Sequence, residues 1–126
     1  MAMHRNSATE TLGRNNEPSV LILTSLASGT KHGYALTKDI EEFAGVTLGP
    51  GTLYGAITRL EGRGFIEPIA SDDRRRPYQI TQSGREALAS AVQEMRALAD
   101  EGAVRLGLRA LVQGLIGRRV TIGLSQ

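Results

Sequence analysis

Apolar residues recur along this chain with two different periods. Val20-Leu21-Ile22-Leu23-Thr24-Ser25-Leu26 follows the helix-start cluster Asn16-Glu17-Pro18-Ser19, is apolar on most sides, and stops at Gly29. A helix of that kind needs burial on two sides, one against its own core and the other against a partner subunit. A second helix opens at Thr30-Lys31-His32-Gly33-Tyr34, buries Leu36, Ile40 and Phe43, turns Lys38, Asp39, Glu41 and Glu42 outward, and ends at Gly45. His32 stands there as a helix-start residue. A third helix is bracketed by Pro50 and Gly64, with Leu53, Ile57 and Leu60 at i, i+4 and i+7 on one stripe. The short glycine-containing connection between the second and third helices is the mark of a helix-turn-helix.

After Gly64 the period changes. Phe65-Ile66-Glu67-Pro68-Ile69 and Pro77-Tyr78-Gln79-Ile80-Thr81 flank the charged tip Ala70 to Arg76, which predicts a β-hairpin with Tyr78 and Ile80 on one face. Pro68 and Pro77 lack the amide proton a ladder needs, so the hairpin is expected to be a short, exposed, two-stranded ribbon. Ser83-Gly84-Arg85-Glu86 then fits a capping box, with Thr81 as the alternative cap. Leu88, Ala91, Met95 and Leu98 repeat at helical steps, widened by Val92 and Ala99, until Gly102. That stripe comes after the three-helix core is complete. Its natural partner is a second copy of the chain, with Val20 and Leu23 of the first helix contributing.

The chain therefore divides into a disordered N-terminal arm (1–15), a winged helix-turn-helix (16–81), a dimerisation helix (82–102) and a glycine-interrupted basic tail (103–126). The expected fold is mainly α with a small β-hairpin: three helices and a two-stranded wing, followed by a long C-terminal helix. In the tail, Val104, Leu108, Leu111 and Leu115 keep helical spacing, while Gly107, Gly114 and Gly117 interrupt it. A weak amphipathic helix packing back on the dimer is the first expectation there.

The polar side of the third helix changes the picture from fold to function. Gly51, Thr52, Gly55, Thr58, Arg59 and Gly62 share it, and each interior glycine costs about 1 kcal/mol relative to alanine. A face so shallow and positive suits close approach by another molecule, and a DNA major groove admits a helix of this kind. Arg74, Arg75 and Arg76 at the wing tip offer charge to phosphates. The 126 residues carry a formal net charge of +2, two histidines and no cysteine. No disulfide, thiolate metal site or cysteine nucleophile is available, and no cofactor, metal or enzymatic activity is expected. With no apolar run of about 18 to 20 residues and no signal pattern, a cytoplasmic protein is expected.

His32-Gly33-Tyr34, Gly51-Thr52-Leu53-Tyr54, Arg59-Leu60-Glu61 with Gly64, and Arg76-Pro77-Tyr78-Gln79-Ile80-Thr81 with Gly84-Arg85 together resemble the PadR-like family of bacterial transcriptional regulators. The likeness covers roughly Glu17 to Asp100. It implies a winged-helix DNA-binding domain, dimerisation through the first and last helices, and repression relieved by small aromatic or hydrophobic effectors. It also implies that Tyr34 and Tyr54 lie close to the DNA backbone, that Gly51, Thr52 and Arg59 belong to the recognition helix, and that the wing arginines touch the duplex. On this reading Arg59 and Thr58 contact bases of a pseudo-palindromic operator, and Tyr34, Lys38, Thr52 and Tyr54 grip phosphates. The chain has no tryptophan, so an effector cannot be held between indole rings. The seam near Leu88, Val92 and Met95 is the expected effector region. Two alternatives stand beside this one: a MarR-like regulator, on the strength of Asp72-Asp73-Arg74 with Ile80-Thr81, and a winged helix that docks a protein on its glycine face.

Overall fold

A computed structural model describes residues 17–71 and 74–108. Among them are four helices, α1 (Pro18–Ala27), α2 (Gly33–Ala44), α3 (Pro50–Gly62) and α4 (Gln82–Leu106). Two strands, β1 (Ile66–Pro68) and β2 (Tyr78–Ile80), lie between α3 and α4 in sequence. The predicted arm, Asp72 and Asp73 of the wing, and the tail beyond Leu108 lie outside the described residues. The chain forms two compact units, one ending at Leu88 and the other starting at Ala89.

In the first unit, Pro18 sits at the start of α1 and the Glu17 carboxylate accepts the Val20 amide at 3.3 Å, occupying one of the free donors of the first turn. α1 packs against α2, α3 and β2. Leu21, Ile22, Leu23, Ser25 and Leu26 are consequently all buried within this one chain. The second side expected to await a partner is therefore largely taken by the chain's own core, and Leu23 with it; Val20 remains half-buried. Ser25, the one buried polar residue among those described, donates its hydroxyl to Asp39 of α2 at 2.6 Å. The Lys31 ammonium closes the end of α1 by donating to the Ser25 carbonyl at 2.6 Å and the Ser28 hydroxyl at 2.9 Å. A cation at a helix C-terminus is favoured by the helix dipole.

α2 buries Leu36 and Ile40, but Phe43 is 47% exposed, against expectation. The buried stripe advances in steps of four, so after Ile40 it reaches Ala44, which packs on the core with Val46. Phe43 falls to one side of it. α3 buries Leu53, Ala56, Ile57 and Leu60 as its pattern requires. It ends where Gly64, at φ +78°, turns left-handed: the Gly64 amide bonds the Glu61 carbonyl and the Phe65 amide bonds that of Leu60, both at 3.0 Å.

β1 and β2 pair antiparallel, Ile66 opposite Ile80 and Pro68 opposite Tyr78. Bonds from the Ile69 amide to the Pro77 carbonyl and from the Thr81 amide to the Phe65 carbonyl extend the ladder at both ends. The ribbon has two strands, as expected, and one residue from outside it borders β2. Lys31 exchanges two backbone bonds with Tyr78, at 3.1 and 2.9 Å, and so covers the outer edge of β2.

α4 starts differently from the predicted capping box. Thr81 is the cap, its hydroxyl accepting the Gly84 amide at 3.1 Å. Ser83 instead donates to the Gly64 carbonyl at 2.9 Å, which Thr81 also bonds at 2.6 Å, and Glu86 pairs with Gln82. The end of α3 is thereby tied to the start of α4. Leu88 packs on the same core.

The second unit is the remainder of α4, from Ala89. The helix passes Gly102 without stopping, since a glycine weakens a helix by about 1 kcal/mol but ends it only where the backbone turns left-handed. That happens at Gly107, φ +78°, where the Gly107 and Leu108 amides bond the Val104 and Ala103 carbonyls. The tail expected from residue 103 therefore begins as helix. No helix among the described residues is long and apolar enough to cross a membrane.

Candidate nucleic-acid interface

The predicted contact residues all fall in the first unit. On α3, Gly51, Thr52, Tyr54, Thr58 and Arg59 are exposed. Gly55 is half-buried, and a Cβ built there would lie 3.7 Å from a terminal nitrogen of Arg59, so the guanidinium rests over the glycine. Around Gly51 and Gly62 a Cβ would meet nothing within 4 Å, and neither has a left-handed backbone. Nothing in the described part of this chain therefore requires glycine at either position. The Thr58 hydroxyl donates to the Tyr54 carbonyl at 2.9 Å, which leaves its oxygen as an acceptor toward solvent.

α2 contributes Tyr34, 66% exposed, with the Lys38 ammonium 6.0 Å from the centre of its ring, at the limit of a cation–π contact. Lys38 also lies 3.8 Å from the Glu41 carboxylate. Its charge is thus shared on the surface of α2, where such pairs contribute little stability.

A cavity of about 360 Å³ joins the helix-turn-helix to the wing. It is lined by His32, Gly33 and Tyr34 from the start of α2, Tyr54 from α3, Arg74, Arg75 and Arg76 from the wing, and Tyr78 from β2. The two predicted tyrosines and the wing arginines are brought together here. Lys38, Thr52, Thr58 and Arg59 do not line it. The cap residue of α2, His32, gives no side-chain hydrogen bond to the helix, and its Nδ1 is buried without a partner among the described residues. The cavity thus combines guanidinium groups, phenol hydroxyls and the positive end of a helix, a combination suited to an anion.

Gly33 and His32 were not among the candidate contact residues. The available signal was the glycine itself, placed inside the first turn of a helix where the backbone has no use for it. Among the described residues no group of three or more His, Cys, Asp or Glu is placed to hold a metal.

The description "Transcriptional regulator PadR-like family" belongs to a family model that matches residues 22–90. The chain belongs to this family. It is 34% identical over 83 residues to the transcriptional regulator Rv3488 of Mycobacterium tuberculosis, covering 64% of this chain and 77% of that one. A PadR family transcription regulator from Clostridium difficile R20291 superposes with a TM-score of 0.63 at 26% identity, over 71% of this chain and 96% of its own. An uncharacterized 37.1 kDa protein in transposon TN4556 of Streptomyces fradiae is 42% identical over 85 residues, covering 68% of this chain. The chain spans only 25% of that relative's length. The family is one of transcriptional regulators, for which DNA is the implied partner.

Proposed function

We propose that the chain acts in the cytoplasm as a homodimeric repressor, presenting two copies of α3 to successive major grooves of a pseudo-palindromic operator about 34 to 36 Å apart. The observation that supports this reading is the exposed α3 face, where nothing among the described residues requires glycine at positions 51 and 62. Without side chains at these positions the face stays shallow enough for a duplex backbone to approach closely. Arg59 reads a base edge. Thr58, whose proton is engaged by Tyr54, accepts from an amino group in the groove. Tyr34, Lys38, Thr52 and Tyr54 hold phosphates, and Arg74 to Arg76 add charge from the wing.

Dimerisation uses Ala91, Val92, Met95 and Leu98 of α4 together with Val20; Leu23 and Leu88 serve mainly the core of their own subunit. A small hydrophobic or aromatic effector binds at Val92 and Met95 and relieves repression.

Fluorescence anisotropy on a labelled operator against a random duplex tests the assignment. Replacing all three wing arginines by alanine should weaken both complexes and flatten the salt dependence, by roughly 0.9 in slope for each phosphate no longer neutralised. Arg59→Ala should cost about 1 to 3 kcal/mol at a single base position and leave random DNA nearly unaffected. Equal losses on both duplexes would reduce Arg59 to a phosphate anchor, and an unchanged salt slope would remove the wing from the interface.

A further inference from the structure

Gly33 is buried in the first turn of α2 with an ordinary helical backbone, so its conformation does not call for glycine. Its surroundings do. A Cβ built on Gly33 would overlap the Tyr54 hydroxyl and lie 3.0 Å from Cζ of the same ring. Real Cβ atoms do not sit that close to another group without displacing it. Tyr54 reaches this place from α3, where it is 52% exposed and has room to turn toward solvent. Instead its ring lies across the start of α2, on the wall of the cavity that the wing arginines complete.

We infer that Gly33 is a positioning residue for DNA binding: lacking a side chain, it seats the Tyr54 ring against the first turn of α2 and fixes the phenol hydroxyl beside the wing arginines. This rests on the reading of the cavity wall as part of the duplex-binding surface. The ligand group is a backbone phosphodiester, which the hydroxyl meets as a fixed donor rather than one of several rotamers. Fixing the ring before binding removes an ordering cost that a freely turning tyrosine would add to association. Gly33 itself touches no nucleotide in this account and acts through Tyr54.

The test uses the full chain and four proteins: wild type, Gly33→Ala, Tyr54→Ala and the double variant. Gly33→Ala should weaken binding on operator and random duplexes alike by roughly tenfold, the scale of one hydrogen bond to a charged group. In the Tyr54→Ala background the same methyl should cost less than about twofold, because the interaction then has no second partner. In the free protein with ¹³C-labelled tyrosines, the Tyr54 ring signals should move in Gly33→Ala. Equal losses from Gly33→Ala with and without the Tyr54 side chain would overturn the inference, as would unmoved ring signals. Should Gly33→Ala fail to fold, recovery of folding in the double variant supports the seat, whereas failure of both shows that the glycine serves the core. If the wild type binds no duplex, the regulator reading falls. The ring signals still decide separately whether Gly33 sets Tyr54.

Discussion

The body that ends at Leu88 and the helix that continues from Ala89 to Leu106 use their apolar residues in opposite ways. In the body, Ile22, Leu36, Ile40, Ile57 and Ile66 are all 2% exposed or less. In the helix beyond it nothing is buried, and Leu98 and Leu106 are each 76% exposed. The same i, i+3, i+4 spacing underlies both. An apolar stripe becomes core only where the chain returns to cover it, as α2, α3 and β2 return to α1. Beyond Ala89 the described residues offer local support such as the Glu101–Arg105 pair at 2.7 Å, and an i,i+4 pair of this kind contributes about 0.3 to 0.5 kcal/mol. Most of a helix's stability in a protein comes from packing of its apolar face rather than from propensity. Packing against a second copy is the proposed source of its stability.

The largest effect expected from a single methyl group is in the body. Gly84 of α4 is buried, and a Cβ there would collide with the Phe65 carbonyl oxygen and lie 2.8 Å from Cγ1 of Ile80. Both are held, Phe65 by its bond to the Thr81 amide and Ile80 by the ladder. Gly84→Ala should lower unfolding stability by about 3 kcal/mol in a denaturant titration, since overpacking against backbone has nowhere to relax. A loss under about 1 kcal/mol would show that the start of α4 is looser than its packing suggests.

Next in size is Leu98→Glu, which probes the other region. In an isolated chain so exposed a site should change stability by less than about 0.5 kcal/mol. In a dimer seam the loss of a buried leucine should weaken association by about 2 kcal/mol, a factor of roughly thirty in dissociation constant. Sedimentation velocity at one concentration should then show a dimer for the wild type and mostly monomer for the variant. Identical profiles would take Leu98 out of the seam. Thr81→Val comes third. It deletes the cap on Gly84 and one of the two hydroxyls on the Gly64 carbonyl, and about 1 kcal/mol should be lost. Ser83→Ala should cost less, because Thr81 keeps both of its bonds.

The same contrast explains what the sequence made legible. Helices stopped by Gly45 and Gly64, the stripe of α3, and the inward pair Tyr78 and Ile80 all follow from local rules, because period and left-handed glycine are properties of a few neighbouring residues. The misses each needed knowledge of what lies across space. Phe43 reads as core until the stripe is seen to run on to Ala44. Asp39 reads as solvated until Ser25 is found beneath it, and Lys31 gives no hint that it closes α1 and borders β2. At the candidate interface the exposed face of α3 was readable as a face, since helical geometry alone assigns its members. The cavity was not, because His32, Tyr54 and Arg76 come from three elements whose meeting no spacing records. Gly102 illustrates the opposite error, a residue credited with a stop that its backbone does not make.

Gly102 also supplies the smallest and most discriminating test of the comparison. It lies in the same helix as Gly84, yet a Cβ built on it meets nothing within 4 Å and its backbone is helical. Gly102→Ala should therefore do the reverse of Gly84→Ala and raise stability by about 0.5 to 1 kcal/mol, through the lower conformational entropy of the unfolded chain and the better helix propensity of alanine. The two variants, measured by thermal unfolding at matched protein concentration, should move the midpoint in opposite directions. A loss at Gly102 would mean that another surface lies against it where the single chain leaves it bare, and that the seam continues past Leu98. Repeating the pair at several concentrations separates the cases: a gain that belongs to the helix is independent of dilution, whereas a loss that belongs to the seam shrinks as the dimer dissociates.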